Sequence, residues 1–438
     1  MADIDKLVRL LKELEEDLAS CTRCGMCQAV CPLYGQTGRE TDVARGKLVL
    51  VENLSREILD DPEAVKKRLD RCLLCGSCAA ACPGGVPVLE VFLKARAVIT
   101  GYLGLSPVKR AIFRGFLSNP DRLDNLLKWM GRLQGPFTRS ANKILGTSCA
   151  RFMSPVIGDR HFMPIAAAAW HTKASRGFSG PRQDGRIRVV FYPGCLADKI
   201  LPRLADAAME VFAFHGVDVF VADKAPCCGI PALSSGDVKT FSTLVKKNLS
   251  IWQHLDFDYL VTPCATCTST IVKLWPAMED YLWDKSPKTK EQVRKIAKKT
   301  IDISAFFVDV VGVNALPDSG PETVTYHDPC HLKKSLGVEK QPRNLLGAAG
   351  TARLLEMKNA DQCCGMGGSF NLEHYELSEK IGAKKRDAIL ATGADIIATG
   401  CPACMLQITD LLSHAKSSVA VQHPIEIYAR GLKGLGKK

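Results

Sequence analysis

The sequence of 438 residues lacks an apolar run long enough for a membrane-spanning helix. It has no P-loop and no G-x-G-x-x-G motif between a strand and a helix, which argues against a nucleotide cofactor held in these ways. No stretch resembles a flavin-binding segment. The N-terminal stretch is charged and has no apolar signal-peptide core, so we expect a cytoplasmic protein.

Cysteine, by contrast, is abundant, with 19 residues. Disulfide frameworks are typical of small secreted domains, so cysteines in a chain of this length favour metal or cluster binding. The formal net charge of +12 is compatible with an acidic protein partner or an anionic membrane surface. No nucleic-acid-binding motif accompanies this charge, and we expect no nucleic-acid partner.

Two cysteine runs with the same spacing, C-x2-C-x2-C-x3-C-P, lie near the N-terminus. This is the ligand spacing of bacterial ferredoxins, in which the fourth cysteine of each run serves the other of two [4Fe-4S] clusters. Zinc is the alternative for paired C-x2-C motifs, but it rarely needs the third close cysteine and the proline. The predicted ligands of the first cubane cluster are Cys21, Cys24, Cys27 and Cys82. Those of the second cubane cluster are Cys72, Cys75, Cys78 and Cys31.

The C-terminal part of the sequence contains a five-cysteine pattern twice. The first copy consists of Cys195, Cys227, Cys228, Cys264 and Cys267. The second copy consists of Cys330, Cys363, Cys364, Cys401 and Cys404. Strand-like segments precede the cysteines and helical segments separate them, which predicts parallel α/β units with the cysteines beyond the carboxyl ends of strands. Adjacent cysteines favour a metal site over a strained disulfide between neighbours.

These patterns predict a multidomain protein of the α+β and α/β classes. We expect a helical two-cluster ferredoxin domain over residues 1–95 and a helical, basic connecting or docking segment over 96–185. Two repeated cysteine-rich α/β domains are expected over 186–300 and 301–438. Only Cys149 lies outside both cysteine patterns, and it is predicted to be a lone buried thiol.

On these motifs, each of the form C-x31/32-CCG-x34/35-C-x2-C, the sequence resembles the CCG-domain, heterodisulfide reductase-like superfamily. The order of a ferredoxin pair and two CCG domains, with "YHDPCHLKKSLGVEKQPRNLL" and "CCGMGGSFNLEHYELS", resembles the iron–sulfur subunits of glycolate and lactate dehydrogenases. The resemblance implies an iron–sulfur cluster in each five-cysteine set, of the noncubane four-iron type found in heterodisulfide reductase. Zinc in either set is the alternative.

The resemblance also implies a function. It implies an electron-transfer subunit of a lactate or glycolate dehydrogenase complex, which receives electrons from a partner FAD subunit and passes them to a quinone or another carrier, peripheral at the inner face of a membrane. The alternatives are a disulfide-reducing catalytic subunit and an anaerobic glycerol-3-phosphate dehydrogenase subunit. Cys401 stands where many glycolate-type subunits have Asn, which argues against a strictly glycolate-type subunit and keeps a lactate-type subunit and a disulfide reductase open. His327 and His331, on either side of Cys330, are candidate ligands or proton relays.

Overall fold

The N-terminal part of the computed structural model is helical; the structure describes residues 4–152, 158–183, 185–224, 226–317 and 320–435. A short 3-10 helix spans Glu40–Asp42. The α-helices are α1 (Ile4–Lys12), α2 (Glu15–Ala19), α3 (Met26–Val30), α4 (Tyr34–Thr37), α5 (Ala44–Ser55), α6 (Pro62–Asp70) and α7 (Ser77–Ala80). Gly25 and Gly76 adopt φ values of 85° and 72° directly before α3 and α7. Both cysteine runs therefore make the same left-handed turn, which glycine allows without strain.

The connecting segment combines helices with a short β-hairpin. It contains α8 (Val88–Leu103), α9 (Pro107–Arg110), a π-helical turn (Ala111–Leu117), α10 (Pro120–Phe137), the strands β1 (Thr138–Asn142) and β2 (Thr147–Ala150), and α11 (His171–Ala174). The two strands form an antiparallel hairpin, which the prediction of a helical segment did not include. Cys149 lies on β2 and is half-buried, with its Sγ 3.4 Å from Arg139 Nε. It is therefore not the buried thiol expected, because a two-stranded hairpin cannot enclose its own side chains.

The first cysteine-rich half is an α/β unit. Its elements are β3 (Arg188–Phe191), α12 (Gly194–Lys199), α13 (Pro202–Phe214), β4 (Asp218–Phe220), α14 (Ile230–Ser234), α15 (Val238–Trp252), β5 (Tyr259–Thr262), α16 (Ala265–Ser269), α17 (Trp275–Ala277), α18 (Pro287–Lys299), β6 (Thr300–Asp302) and α19 (Ile303–Ala305). The four strands are parallel and lie in the order β4-β3-β5-β6. Strand β6 crosses the predicted domain boundary between residues 300 and 301, so the first unit extends beyond residue 300.

The second half repeats this topology. Its elements are β7 (Glu322–His327), α20 (Cys330–Leu336), α21 (Lys340–Ala348), β8 (Ala352–Leu354), α22 (Ser369–Glu373), α23 (Tyr375–Leu390), β9 (Ile396–Thr399), α24 (Pro402–His414), β10 (Ala420–Gln422) and α25 (Pro424–Leu435). Its strands are parallel in the order β8-β7-β9-β10. In the two sheets, Val190 and Val324 lie at the centre and are buried. The predicted repeat of parallel α/β units is confirmed.

The units share buried contacts. Helix α25 of the second half packs against α13 of the first. The hydroxyl oxygen of Tyr428 lies 3.2 Å from His215 Nε2. Arg96 of α8 is fully buried and donates hydrogen bonds to the carbonyl oxygens of Cys72 (3.1 Å) and Ser234 (2.6 Å). One guanidinium thus joins the second ferredoxin-type loop to the first cysteine-rich half. Within the described ranges, no helix has the length and apolar character needed to cross a membrane.

Candidate metal centres

The cysteines of both five-cysteine sets follow the carboxyl ends of parallel strands. Cys195 and Cys264 come shortly after β3 and β5, and Cys330 and Cys401 come after β7 and β9. The CCG doublets follow β4 and β8, the strands at one edge of each sheet. Because all strands of a parallel sheet end at the same edge, this topology gathers the thiols of each half at one place.

The thiols of the first half form a continuous set of contacts. Cys195 is hydrogen-bonded to Cys227, and Cys228 contacts both Cys227 and Cys267. The backbone N–H of Cys267 donates to Cys264 Sγ over 3.5 Å. All five predicted residues of the first set are therefore brought together.

The second half has the equivalent arrangement. Cys330 is hydrogen-bonded to Cys363, which contacts Cys364. The Sγ atoms of Cys364 and Cys404 are 3.3 Å apart, and Cys404 contacts Cys401. The repeat in sequence is thus also a repeat in thiol geometry.

The two sets face each other. Cys264 of the first half is hydrogen-bonded to Cys401 of the second, and Thr266 Oγ1 lies 3.4 Å from Cys401 Sγ. The backbone N–H of Ala265 donates to the carbonyl oxygen of Gly400 over 3.0 Å, which fixes the two C-x2-C turns against each other. A cavity of about 770 Å³ lies between the halves, and all ten cysteines of the two sets line it.

The second ferredoxin-type set lies against this cavity. Cys31, Cys72, Cys75 and Cys78 are close enough to influence one another's ionisation, as the sequence predicts for one cluster. Burial raises the pKa of Cys31 to about 11. A hydrogen bond with Cys363, together with burial, raises the pKa of Cys75 well above its usual value. Cys75 therefore connects the N-terminal unit to the second cysteine-rich half.

The first ferredoxin-type set lies nearer the surface. Cys24 is exposed, and Cys21, Cys27 and Cys82 are half-buried. Helix α3, which carries Cys27, packs against α7, which ends just before Cys82. The assignment of these four cysteines to one cluster stays a prediction.

The donor chemistry fits iron–sulfur clusters. All nineteen cysteines are described by the structure and none forms a disulfide. Hydrogen bonds with neighbouring thiols lower the pKa of Cys228 and of Cys364, the second cysteine of each doublet. Soft thiolates suit iron–sulfur clusters and zinc alike, and ligation requires their deprotonated form. The cysteine sets would hold the clusters, which supply one-electron redox chemistry when bound.

The two candidate histidines have different surroundings. His331 lies with Nδ1 3.1 Å from Thr266 Oγ1 and Nε2 3.0 Å from the carbonyl oxygen of Leu74, so it bridges both halves and the ferredoxin-type loop. His327 is fully buried, and burial lowers its pKa to about 3. His327 Nδ1 lies 3.1 Å from the carbonyl oxygen of Ala360. Both therefore lie at the thiol sites, while their proposed roles stay predictions.

The sequence analysis missed two lysines near the thiols, of which Lys47 is buried and Lys334 half-buried. Lys47 on α5 is buried beside Cys31 and Cys72, and burial lowers its pKa. Lys334 donates to Ser77 Oγ over 2.8 Å, across the contact between the second half and α7. Lysine usually lies at the surface, so its type alone gave no signal. The signal that the sequence did contain is the position of Lys47 in a helical stretch, next to the apolar residues of "KLVLV".

Comparison with known proteins agrees with these features. The family model described as "4Fe-4S dicluster domain" matches residues 17–86. The model described as "Cysteine-rich domain" (CCG) matches twice, at residues 189–272 and 324–409. The N-terminal unit and both halves thus correspond to recognised domain families.

Three relatives cover different shares of the chain. The "Probable glycolate oxidase iron-sulfur subunit" of Bacillus subtilis is 29% identical over 90% of this chain and 89% of its own length. "Lactate utilization protein A 2" of Bacillus mycoides is 30% identical, over 55% of this chain and 98% of its own. A fumarate reductase (CoM/CoB) subunit of Methanothermobacter marburgensis is 32% identical, over 52% of this chain and 43% of its own. Among solved structures, a putative Asp/Glu racemase from Yersinia pestis matches with 13% identity, over 58% of this chain and all of its own, and a TM-score of only 0.27.

A dicluster ferredoxin-type unit and two facing cysteine-rich halves define an iron–sulfur protein. The chain belongs to the CCG-domain family of oxidoreductase iron–sulfur subunits that includes lactate utilization protein A and the glycolate oxidase iron–sulfur subunit. The predicted family is confirmed.

Proposed function

We propose that the protein is the electron-transfer subunit of a lactate or glycolate dehydrogenase complex. In this role it takes electrons from a partner subunit that binds FAD and passes them to a quinone or another carrier. The observation that carries the proposal is the unbroken row of thiol contacts, which runs from Cys75 through the second half to the first. Such a row places redox centres next to one another, as electron transfer requires.

The proposed cofactors are four iron–sulfur clusters. Two cubane clusters would be held by the N-terminal cysteine runs, and two further clusters, of the noncubane type, by the five-cysteine sets. A five-thiol set has one ligand more than a cubane needs, and adjacent cysteines can reach two irons of one cluster. FAD belongs to the partner in this proposal, because the sequence of this chain has neither a dinucleotide-binding motif nor a flavin-binding segment.

Anaerobic purification of the native complex tests this function. We expect lactate or glycolate to reduce an artificial dye with the purified complex, and neither to do so with this chain alone. Adding the separately purified flavoprotein should restore dye reduction. Substrate-dependent dye reduction by the isolated chain, or none by the reconstituted complex, would contradict the proposal.

One observation favours a second candidate function, reduction of a disulfide. The cavity of about 770 Å³ has a volume within the range of small-molecule sites, and the cysteines of both halves line it. The clusters themselves would fill the part of the cavity beside the ten thiols, and the part lined by other residues, such as Ile112 and Phe113, would admit a substrate to them. Reduction of a small disulfide by the isolated, reduced chain, at rates comparable to those of the complex, would favour this candidate over the relay.

We also propose that the protein binds the membrane surface through the apolar face of α10. The exposed side chains of this face follow one another at helical spacing: Leu126, Trp129, Met130, Leu133 and Phe137. The basic residues Arg122, Lys128 and Arg132 lie on the same helix. An exposed apolar stripe that includes tryptophan, on a helix that also carries cations, is typical of helices that lie in the interface of an anionic bilayer.

Vesicle sedimentation checks the membrane contact. We expect the protein to bind phosphatidylglycerol vesicles more strongly than phosphatidylcholine vesicles, and less strongly at high salt. The double variant Trp129→Ala/Leu133→Ala should bind at least about tenfold more weakly, since burial of each large apolar side chain contributes about 1.5–3 kcal/mol. The control is Ile58→Ala/Phe214→Ala, which removes two exposed apolar side chains elsewhere. The proposed membrane contact would be contradicted if both double variants bound vesicles equally well. It would also be contradicted if the flavoprotein, rather than vesicles, shielded α10 from solvent.

A further inference from the structure

The ring of His327 has a fixed orientation and a fixed tautomer. His327 ends strand β7 and is 1% exposed. Its Nδ1 lies 3.1 Å from the carbonyl oxygen of Ala360, which can only accept a hydrogen bond. In the neutral ring the proton therefore sits on Nδ1, and Nε2 presents a bare lone pair.

The ring of His327 lies beside the second five-cysteine set. One ring nitrogen of His327 and the Sγ atoms of Cys364 and Cys404 form a group whose ligand atoms are all within 4.8 Å of one another. Because Nδ1 contacts the carbonyl oxygen of Ala360, Nε2 is the nitrogen available to a ligand, and it is buried and has no hydrogen-bond partner within the described part of the chain. A buried polar atom without a partner costs about 1–3 kcal/mol, so such an atom calls for a ligand. Thiolates carry no proton to donate to it once they bind a metal.

The first half has a tyrosine at the position that corresponds to His327. Tyr192 stands three residues before Cys195, as His327 stands three residues before Cys330. The Tyr192 hydroxyl donates to the carbonyl oxygen of Pro226 over 2.7 Å, so its hydrogen is taken up by the backbone rather than by a thiol. The two halves thus repeat in their cysteines but differ at this position.

We propose that His327 Nε2 binds iron in the cluster of the second five-cysteine set, which is then held by thiolates and one imidazole. The set of the first half is held by thiolates alone. The inference rests on the proposed presence of a cluster in the second set. The hydrogen bond from Nδ1 to Ala360 is the outer contact that orients many metal-bound histidines. Imidazole ligands accompany a higher reduction potential in iron–sulfur centres, so a cluster with an imidazole ligand and one with thiolates alone would differ in potential.

Pulsed EPR of the purified complex tests the assignment. The wild-type protein, in a redox state where the second cluster is paramagnetic, should show strong coupling to one nitrogen. Labelling with 15N-histidine should convert this signal to that of 15N. The variant His327→Asn keeps an N–H group for Ala360 and lacks Nε2. It should lose the strong coupling, and the midpoint potential of one cluster should shift while the others keep theirs.

The control is His254→Asn, which removes an exposed histidine that lies outside the cysteine sets. It should leave the nitrogen signal and all potentials unchanged. Iron in the second set with only weak nitrogen coupling, typical of a hydrogen bond, would overturn the assignment and leave the proposed function intact. Absence of iron from the second set would instead contradict the proposed cluster. The labelled wild-type spectrum decides the question even if His327→Asn binds less iron.

Discussion

The variant Gly365→Ala is expected to lose the cluster of the second five-cysteine set while the other three sites stay loaded. Gly365 follows the Cys363–Cys364 doublet with φ of 94°, a conformation that disfavours any side chain. A Cβ atom there would lie 2.4 Å from the carbonyl oxygen of Ser378 and 3.1 Å from the N atom of Gly382. Both are backbone atoms of α23 and cannot rotate away. The loop must therefore shift, and the thiols of the doublet shift with it.

Iron and acid-labile sulfide analysis measures this effect. The wild-type chain should carry about sixteen irons, four per cluster, and the variant about twelve. We expect a loss of stability of about 2–4 kcal/mol, from left-handed strain and overpacking together. The equivalent variant Gly229→Ala should be milder, because its Cβ would meet the Phe241 side chain, at 2.7 Å, rather than backbone.

The matched control is Gly337→Ala. Gly337 also has a positive φ, of 71°, at the end of α20, but no atom lies within 4 Å of an added Cβ. This variant should lose about 1 kcal/mol of stability through backbone strain, and its iron content should not change. Full iron content in Gly365→Ala would contradict the role of the turn. A wild-type iron content near eight, with stoichiometric zinc, would contradict clusters in both five-cysteine sets.

The central strands could be predicted from the sequence because they are buried on both faces. Such strands appear as continuous apolar runs, as in "RVVF" of β3 and "IIAT" of β9, and they end at the cysteines. The strands β6, β8 and β10 were missed. Each has only three residues, and each lies at a sheet edge, where polar residues such as Asp302 and Gln422 break the apolar pattern.

The cysteine patterns could be recognised in the sequence, but not how the cysteine sets lie relative to one another. The spacing within each cysteine run is local, so it is visible in the sequence. The contact between Cys264 and Cys401 depends on how two separate sheets pack, and no local pattern encodes that. The same holds for Arg96, a buried cation that lies among backbone carbonyls. Its charge suggested a surface position, and only the tertiary structure supplies its partners.

The variant Cys75→Ala is expected to stop electron transfer between the N-terminal unit and the cysteine-rich halves. Cys75 is 8% exposed, belongs to the predicted second cubane set, and contacts Cys363 of the second half. Its loss removes both a cluster ligand and this contact. Loss of a partner of a metal ligand already costs about 10–100-fold in activity, so loss of a ligand should cost at least about 100-fold.

Turnover by the flavoprotein complex with lactate or glycolate, measured together with iron content, checks this expectation. Iron should fall by about four per chain, while the flavin of the partner is still reduced by its substrate. The control Cys149→Ala removes the one cysteine outside both patterns, on strand β2, and should change neither iron content nor turnover. If Cys75→Ala loses its iron but keeps full turnover, electrons must enter the cysteine-rich halves directly from the partner. The electron-transfer route would then begin at the cavity between the halves, and the N-terminal clusters would not lie on the route used in turnover.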